Sequence, residues 1–203
     1  MIKRNLNKLD LVILAGGKGS RISRLTRKKP KPLIKFKKKY FLSYILNHYS
    51  RYPFEKIFIL AGYKGEQIYK KFNNKNSNGI EIKCIIEKKT LGTGGALSQL
   101  KNRTKNDLIV INGDTFIDCN LEDFFFKKKK YSFILLTKNK NYLSNNILAN
   151  LNINKQSFIK FDGKLMNAGV YFLKQKILKK IPKRDISLEN DILTNLIQKK
   201  SIK

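Results

Sequence analysis

Acidic residues are scarce in this chain: 14 Asp and Glu stand against 44 Lys and Arg, a formal net charge of +30 over 203 residues. Such an imbalance concentrates anions at the surface, whether nucleotide, nucleic acid or phospholipid. The lysines, however, are spread along the chain among many Asn and Ile, the mixture that AT-rich codons produce, so charge by itself assigns no function. Cysteine is nearly absent. Cys84 and Cys119 are the two present, with no CxxC spacing, which argues against a zinc cluster or a disulfide framework and makes a reducing cytoplasm the expected location. The one histidine, His48, gives almost no material for a His-based metal site or a Ser–His triad. It lies in a segment where Phe41, Ile45, Tyr49 and Tyr52 recur at helical spacing, and is expected at the edge of that buried face. Long apolar runs are missing too: none nears the ~20 residues that cross a bilayer. The basic start Met1–Arg4 resembles the opening of a signal peptide, but the apolar stretch that follows, Leu11–Ala15, is too short for one and is expected to be a first strand. No membrane partner is expected.

What is present is an alternation of short apolar runs with longer amphipathic segments. Leu11–Ala15, Lys56–Ala61, Ile80–Ile86, Leu108–Ile111 and Ser132–Thr137 are predicted strands, several of them continuously apolar as in a buried parallel sheet. Phe41–Arg51, Gly65–Phe72, Gly95–Leu100 and Leu121–Lys128 are predicted helices or helical turns. Asn139–Asn154 is expected to be a loop with a short strand. Ser187 is placed to cap a helix over Leu188–Lys199, with Glu189 and Asp191 in its first turn. Strands alternating with helices predict a Rossmann-like, three-layer α/β/α fold around a mostly parallel sheet. Neither repeat nor linker divides the chain, so residues 1–203 are read as one domain. Ligands of such sheets gather at the carboxyl ends of the strands.

Four segments with chemical potential follow strand ends. The first is Leu14-Ala15-Gly16-Gly17-Lys18-Gly19-Ser20-Arg21. Glycines let the backbone bend sharply and approach a ligand, and exposed N–H groups in such a loop cradle phosphate oxygens. It is neither a Walker A loop nor GxGxxG, and a plain strand–helix turn is the bland alternative. The second is Lys29-Pro30-Lys31-Pro32-Leu33, where two prolines restrict the chain around Lys31. That makes Lys31 either a phosphate clamp or part of a solvated basic loop. The third, Leu91-Gly92-Thr93-Gly94-Gly95-Ala96, offers bare backbone against which a base or ribose could lie. The fourth, Asn112-Gly113-Asp114-Thr115, delivers a carboxylate past a strand end, where Mg²⁺ bound also to phosphate oxygens is a typical occupant and a turn aspartate the plain reading. Asp118 nearby is a supporting or turn residue.

In this order the segments resemble the sugar-phosphate nucleotidyltransferase family, whose pattern is LAGGxGxR, PKPL, GTGGA or GTAGA, and NGD. Asn167-Ala168-Gly169-Val170-Tyr171 resembles the later NAGxY segment, and Ser187-Leu188-Glu189-Asn190-Asp191 the acidic SxExD helix start. The form around Glu87 and Leu91–Ala96 looks most like the heptose-1-phosphate and mannose-1-phosphate guanylyltransferase branches. The resemblance implies Mg²⁺-dependent transfer of a nucleotidyl group from an NTP, GTP favoured, to a sugar-1-phosphate, giving an NDP-sugar and pyrophosphate. It implies catalytic roles for Arg21, Lys31 and Asp114, with Asp114 the metal ligand. It implies nucleotide binding by Ala15, Gly16, Gly17, Gly19, Gly92, Thr93, Gly94 and Gly95, and sugar binding by Glu87, Lys164, Asn167 and Gly169. For Glu87, a solvated strand end remains the alternative, and Glu189 is read as a helix-cap charge.

Two departures from the family pattern stand out. The family's FxEK segment corresponds to Phe161-Asp162-Gly163-Lys164, with glycine where the acid stands and only two residues before Asn167. The IDIGTP-like segment, whose aspartate pairs with NGD at the metal, has no counterpart before Ser201-Ile202-Lys203, so the domain is expected to be C-terminally short. The competing readings are a truncated, impaired relative that binds nucleotide or NDP-sugar, and a basic nucleic-acid-binding protein. The last lacks any helix-turn-helix, zinc-finger or RNP-like motif and any aromatic platform, so nucleic acid is not an expected partner. A homo-oligomer is compatible with all of these.

Overall fold

Leu9–Ala15 forms β1, and its side chains are nearly all buried, as a strand at the centre of a sheet covered on both faces requires. The structure, a computed structural model, describes residues 7–19, 23–127, 129–138, 148 and 150–203. After β1 come a short helix α1 (Ser23–Thr26), a 3₁₀ turn at Lys31–Leu33, a small hairpin of β2 (Lys35–Phe36) and β3 (Lys39–Tyr40), and α2 (Phe41–Tyr49). Next are β4 (Ile57–Ala61), α3 (Gly65–Phe72), β5 (Asn76–Ser77), β6 (Ile80–Ile86), α4 (Gly92–Ser98) and β7 (Asp107–Asn112). The second half holds α5 (Glu122–Phe126), β8 (Phe133–Lys138), β9 (Leu151–Ile153), β10 (Ile159–Phe161), β11 (Leu165–Leu173) and α6 (Gln175–Lys180). A π-helical turn at Leu188–Leu193 runs into α7 (Thr194–Gln198).

Among the described residues the main sheet has nine strands in the order β10-β9-β11-β7-β1-β4-β6-β5, with β8 also paired to β11. Its centre, β7-β1-β4-β6, is parallel, with Ile13 level with Ile59 and Ile111. Alternation along β1 separates two cores. Leu11 and Ile13 join Leu42 and Ile45 of α2, Ile68 of α3 and Phe125 of α5 on one face. Val12 joins Ala96 and Leu97 of α4, Leu178 of α6 and Ile197 of α7 on the other. This is the three-layer α/β/α arrangement that the sequence predicts. His48 is buried at the end of α2, its Nδ1 2.8 Å from Arg51 Nη2.

The sequence reading did not anticipate the antiparallel flank. β11 pairs antiparallel with β7, β8 and β9, and its register shifts between Asn167 and Tyr171. Its first half, Leu165-Met166-Asn167-Ala168, is only partly buried and carries no continuous apolar signal, which hid a nine-residue strand. The expected C-terminal helix begins where Ser187 caps it, the hydroxyl accepting from Asn190 N at 3.0 Å. Its first part is π-helical rather than α-helical. Within Asn139–Asn154, only Leu148, Asn150 and the strand β9 with Asn154 fall among the described residues. No helix among the described residues is long and apolar enough to cross a membrane.

Candidate active site

The carboxyl ends of β1, β4, β6 and β7 lie side by side, and the turns leaving them interlock. Gly113 N donates to Leu14 O at 2.8 Å, which ties the end of β7 across that of β1. Tyr63 N donates to Gly16 O at 3.0 Å, and a Cβ on Gly62 would stand 2.8 Å from that same oxygen. A side chain at Gly62 would push the two turns apart, and one at Gly16 would collide with the Glu87 carboxylate at 2.9 Å. Gly17 is exposed, with no atom within 4 Å of where its Cβ would be, so the tip of the turn has open backbone. Gly19 O accepts from Thr26 Oγ1 at 3.2 Å, and a Cβ on Gly19 would lie 3.5 Å from Lys31 Cβ. Arg21, assigned a catalytic role from the sequence, lies outside the described residues.

Lys31 sits at the start of the 3₁₀ turn that Pro30 opens. Its Nζ donates to Asp114 Oδ2 at 2.7 Å, joining residues 83 apart in sequence. The other oxygen, Oδ1, accepts from Thr115 Oγ1 at 3.1 Å. Both side chains remain partly open, Lys31 at 35% and Asp114 at 41% exposure, so this ion pair faces solvent and is available to a ligand. Three separate motifs, the glycine turn, the PKPL lysine and the NGD aspartate, thus meet at one place.

Asp114 also meets the requirements of Mg²⁺, a hard cation bound typically through one or two carboxylates plus substrate phosphates and waters. Its half-open carboxylate offers an oxygen ligand with room for those others. No group of three or more His, Cys, Asp or Glu able to hold a metal occurs among the described residues, so an ion at Asp114 would take its remaining ligands from substrate and water rather than from a closed protein cage.

Glu87 stands just beyond β6 and bridges two turns. Its Oε2 accepts from Leu91 N at 3.3 Å, while Oε1 lies 2.9 Å from where a Cβ of Gly16 would be. Burial raises its carboxyl above the ordinary range, and the nearby negative charge of Asp185 adds to the effect.

The Gly92–Gly95 segment differs from the expectation of bare backbone facing a nucleoside. Gly94 and Gly95 are buried, and both N–H groups donate to Ile186 O, at 3.0 and 3.3 Å. A Cβ on Gly95 would fall 2.1 Å from Arg184 O, and one on Gly94 2.7 Å from Ile192 Cδ1. These two glycines serve packing against residues 184–192. Gly92, at φ +65°, is only partly buried, and its Cβ would meet Ile186 O at 2.4 Å.

Thr93 leads into a polar network that the sequence did not reveal. Its Oγ1 donates to Glu189 Oε2 at 2.7 Å and accepts from Leu188 N at 2.8 Å. Glu189 Oε1 accepts from Tyr171 OH at 3.2 Å, and that hydroxyl accepts from Asn167 Nδ2 at 2.8 Å. Asn167 Oδ1 in turn accepts from Gly169 N at 2.8 Å, and Gly169 lies against Asn112. Glu189 is therefore more than a cap charge. Its available sequence signal was the SxExD segment, which also suits an ordinary helix start. Lys164, by contrast, is exposed just ahead of β11, and no hydrogen bond or ion pair among the described residues joins it to Lys31 or Asp114.

Comparison with known proteins agrees with this architecture. The D-glycero-alpha-D-manno-heptose 1-phosphate guanylyltransferase of Campylobacter jejuni is 31% identical over 83% of this chain and 77% of its own length. The bifunctional protein GlmU of Methanococcus maripaludis is 28% identical over 93% of this chain, which spans only 43% of that protein. The crystal structure of HddC from Yersinia pseudotuberculosis complexed with GMP-PN superposes with a TM-score of 0.72 at 27% identity, covering 91% of this chain and 85% of HddC. The nucleotidyl transferase profile matches residues 11–143, which include the glycine turn, Lys31 and Asp114, and the chain belongs to the nucleotidyl transferase family.

Proposed function

We propose that this chain transfers a nucleotidyl group from an NTP, with GTP favoured, to a sugar-1-phosphate, releasing pyrophosphate and forming an NDP-sugar. The observation that carries this reading is the Lys31–Asp114 pair, 2.7 Å apart and open to solvent beside the Gly16–Gly19 turn. The guanylyltransferase relative and the HddC complex support the choice of base.

An oxygen of the sugar phosphate attacks the α-phosphorus in line, and the bond to pyrophosphate breaks. Such a reaction asks the protein for position and charge neutralisation more than for covalent chemistry. The open backbone at Gly17 can receive phosphate oxygens, and Lys31 can hold the reacting phosphate while Asp114 fixes the ammonium in place. Arg21 would add positive charge at the leaving group. Asp114 would hold Mg²⁺, which when bound supplies further neutralisation of phosphate charge. Glu87, Asn167 and Gly169 would border the sugar, and Asn167 is already oriented by Tyr171. Lys164 is a sugar-side contact only if substrate draws it in. We assign this activity to residues 1–203 acting as one domain in the cytoplasm.

The test is pyrophosphate release with Mg²⁺ across four NTPs and a panel of sugar-1-phosphates. Turnover is expected with at least one pair and fastest with GTP. Binding of NTP with no turnover for any pair would replace this reading with that of an impaired relative.

A further inference from the structure

A second cleft lies behind the Gly92–Gly95 segment, between α6 and the Leu188–Gln198 region. Its volume of about 520 Å³ falls within the range of small-molecule sites. Ile177, Ile181, Ile186, Ile192 and Leu196 supply an aliphatic lining, and Lys130, Lys176, Lys180, Arg184 and Lys199 supply positive charge. None of these five cations belongs to an ion pair among the described residues. The acid in the lining, Asp191, is already bonded, its Oδ2 accepting from Ser187 N at 2.7 Å. Tyr131 at the wall packs T-shaped with Phe158 at 5.1 Å, and Lys130 and Lys203 lie over its ring at 5.5 and 5.1 Å from the centroid, which limits it as a stacking platform for a planar base.

We infer that this cleft binds a small anionic amphiphile, one or two phosphates on an aliphatic body, and that its occupancy is felt at the Gly92–Gly95 segment. Unpaired cations around an aliphatic surface are complementary to such a ligand in both charge and polarity. The coupling follows from shared residues. Arg184, Ile186 and Ile192 line the cleft on one side and on the other hold the glycine segment through Arg184 O, Ile186 O and Ile192 Cδ1. A ligand that shifts residues 184–192 also shifts Leu91, whose O accepts from Ile186 N at 3.0 Å and whose N donates to Glu87 Oε2 at 3.3 Å. Glu87 in turn lies against the Gly16 turn proposed to hold the nucleotide. This coupling, unlike binding itself, rests on the functional reading of the site above.

Calorimetric titration of the full chain with geranyl phosphate tests the assignment, with inorganic phosphate and geraniol as separate controls. Saturable one-to-one binding is expected, at least tenfold tighter than for either control. The double variant Lys176→Glu with Lys180→Glu, both on α6, should weaken it at least tenfold, with the thermal unfolding profile and GTP affinity retained. Saturating geranyl phosphate should change GTP affinity about fivefold or more, and GTP should change geranyl phosphate affinity by the same factor. No saturable binding, or binding indifferent to the charge reversals, would overturn the site. So would association with phosphatidate vesicles alone, which would make this a surface for lipid headgroups. Unchanged GTP affinity would overturn the coupling only. Failure of GTP to bind at all would defeat the functional reading and the coupling, leaving the cleft to its own isotherm.

Discussion

Glu87 answers to two neighbours at once, and its titration should show it. One oxygen accepts from Leu91 N and the other lies against Gly16, in a setting where burial disfavours the charged form. A carboxyl raised in the folded state binds its proton more tightly there than in the unfolded chain. Its stabilising contribution is therefore present at low pH and is lost as pH rises from the unfolded value, 4.5, through the higher folded one. Glu87→Gln retains an acceptor for Leu91 N but cannot ionise. Its stability relative to the parent should climb as pH rises across that window, read by urea denaturation at several pH values. A parallel pair of curves would show that Glu87 titrates as it does in the unfolded chain. Lys31 and Asp114 were legible at this scale because proline, glycine and strand context isolate them in the sequence. Glu189 was not, since an acidic residue in a helical first turn has an ordinary explanation that needs no partner.

At the scale of elements, the contact between α4 and residues 184–192 decides how far the glycine segment can change. Alanine is favoured over glycine inside a helix by about 1 kcal/mol, yet a Cβ at Gly95 would stand 2.1 Å from Arg184 O. Overpacking of that kind costs typically about 1–3 kcal/mol, and the collision is with backbone, so Gly95→Ala should destabilise the fold in chemical denaturation. An unchanged or raised midpoint would show that residues 184–192 yield easily. Tyr171 connects β11 to the same region and is fully buried, its hydroxyl bonded to Asn167 and Glu189. Tyr171→Phe leaves two partly buried polar groups with one partner fewer, a loss of roughly 1–3 kcal/mol by the same measurement. Apolar runs made β1, β4, β6 and β7 readable. β11 escaped because Asn167 and Gly169 interrupt its apolar run and its first four residues are only partly buried, and the packing role of Gly94 and Gly95 depends on a segment some 90 residues later, which periodicity cannot report.

For the whole molecule, the parallel centre fixes where the motif residues meet. The turns of β1 and β7 are tied together at Gly113 N and Leu14 O, so Lys31 and Asp114 converge at the carboxyl edge of the sheet. The order of motifs foretold this meeting point, and the α/β/α layers followed from the alternation of strand and helix. The second cleft was not foretold, because its cations are ordinary lysines in a chain with a net charge of +30. The most direct measurement is pyrophosphate release by Asp114→Asn beside the parent protein, with GTP, Mg²⁺ and the best sugar-1-phosphate of the panel, and the fold checked by circular dichroism. A folded variant with turnover at least about a hundredfold lower, the size of effect found on removing a group that stabilises transition-state charge, is the predicted result. A folded variant that keeps the parent's rate would contradict the assignment of this edge as the site of transfer.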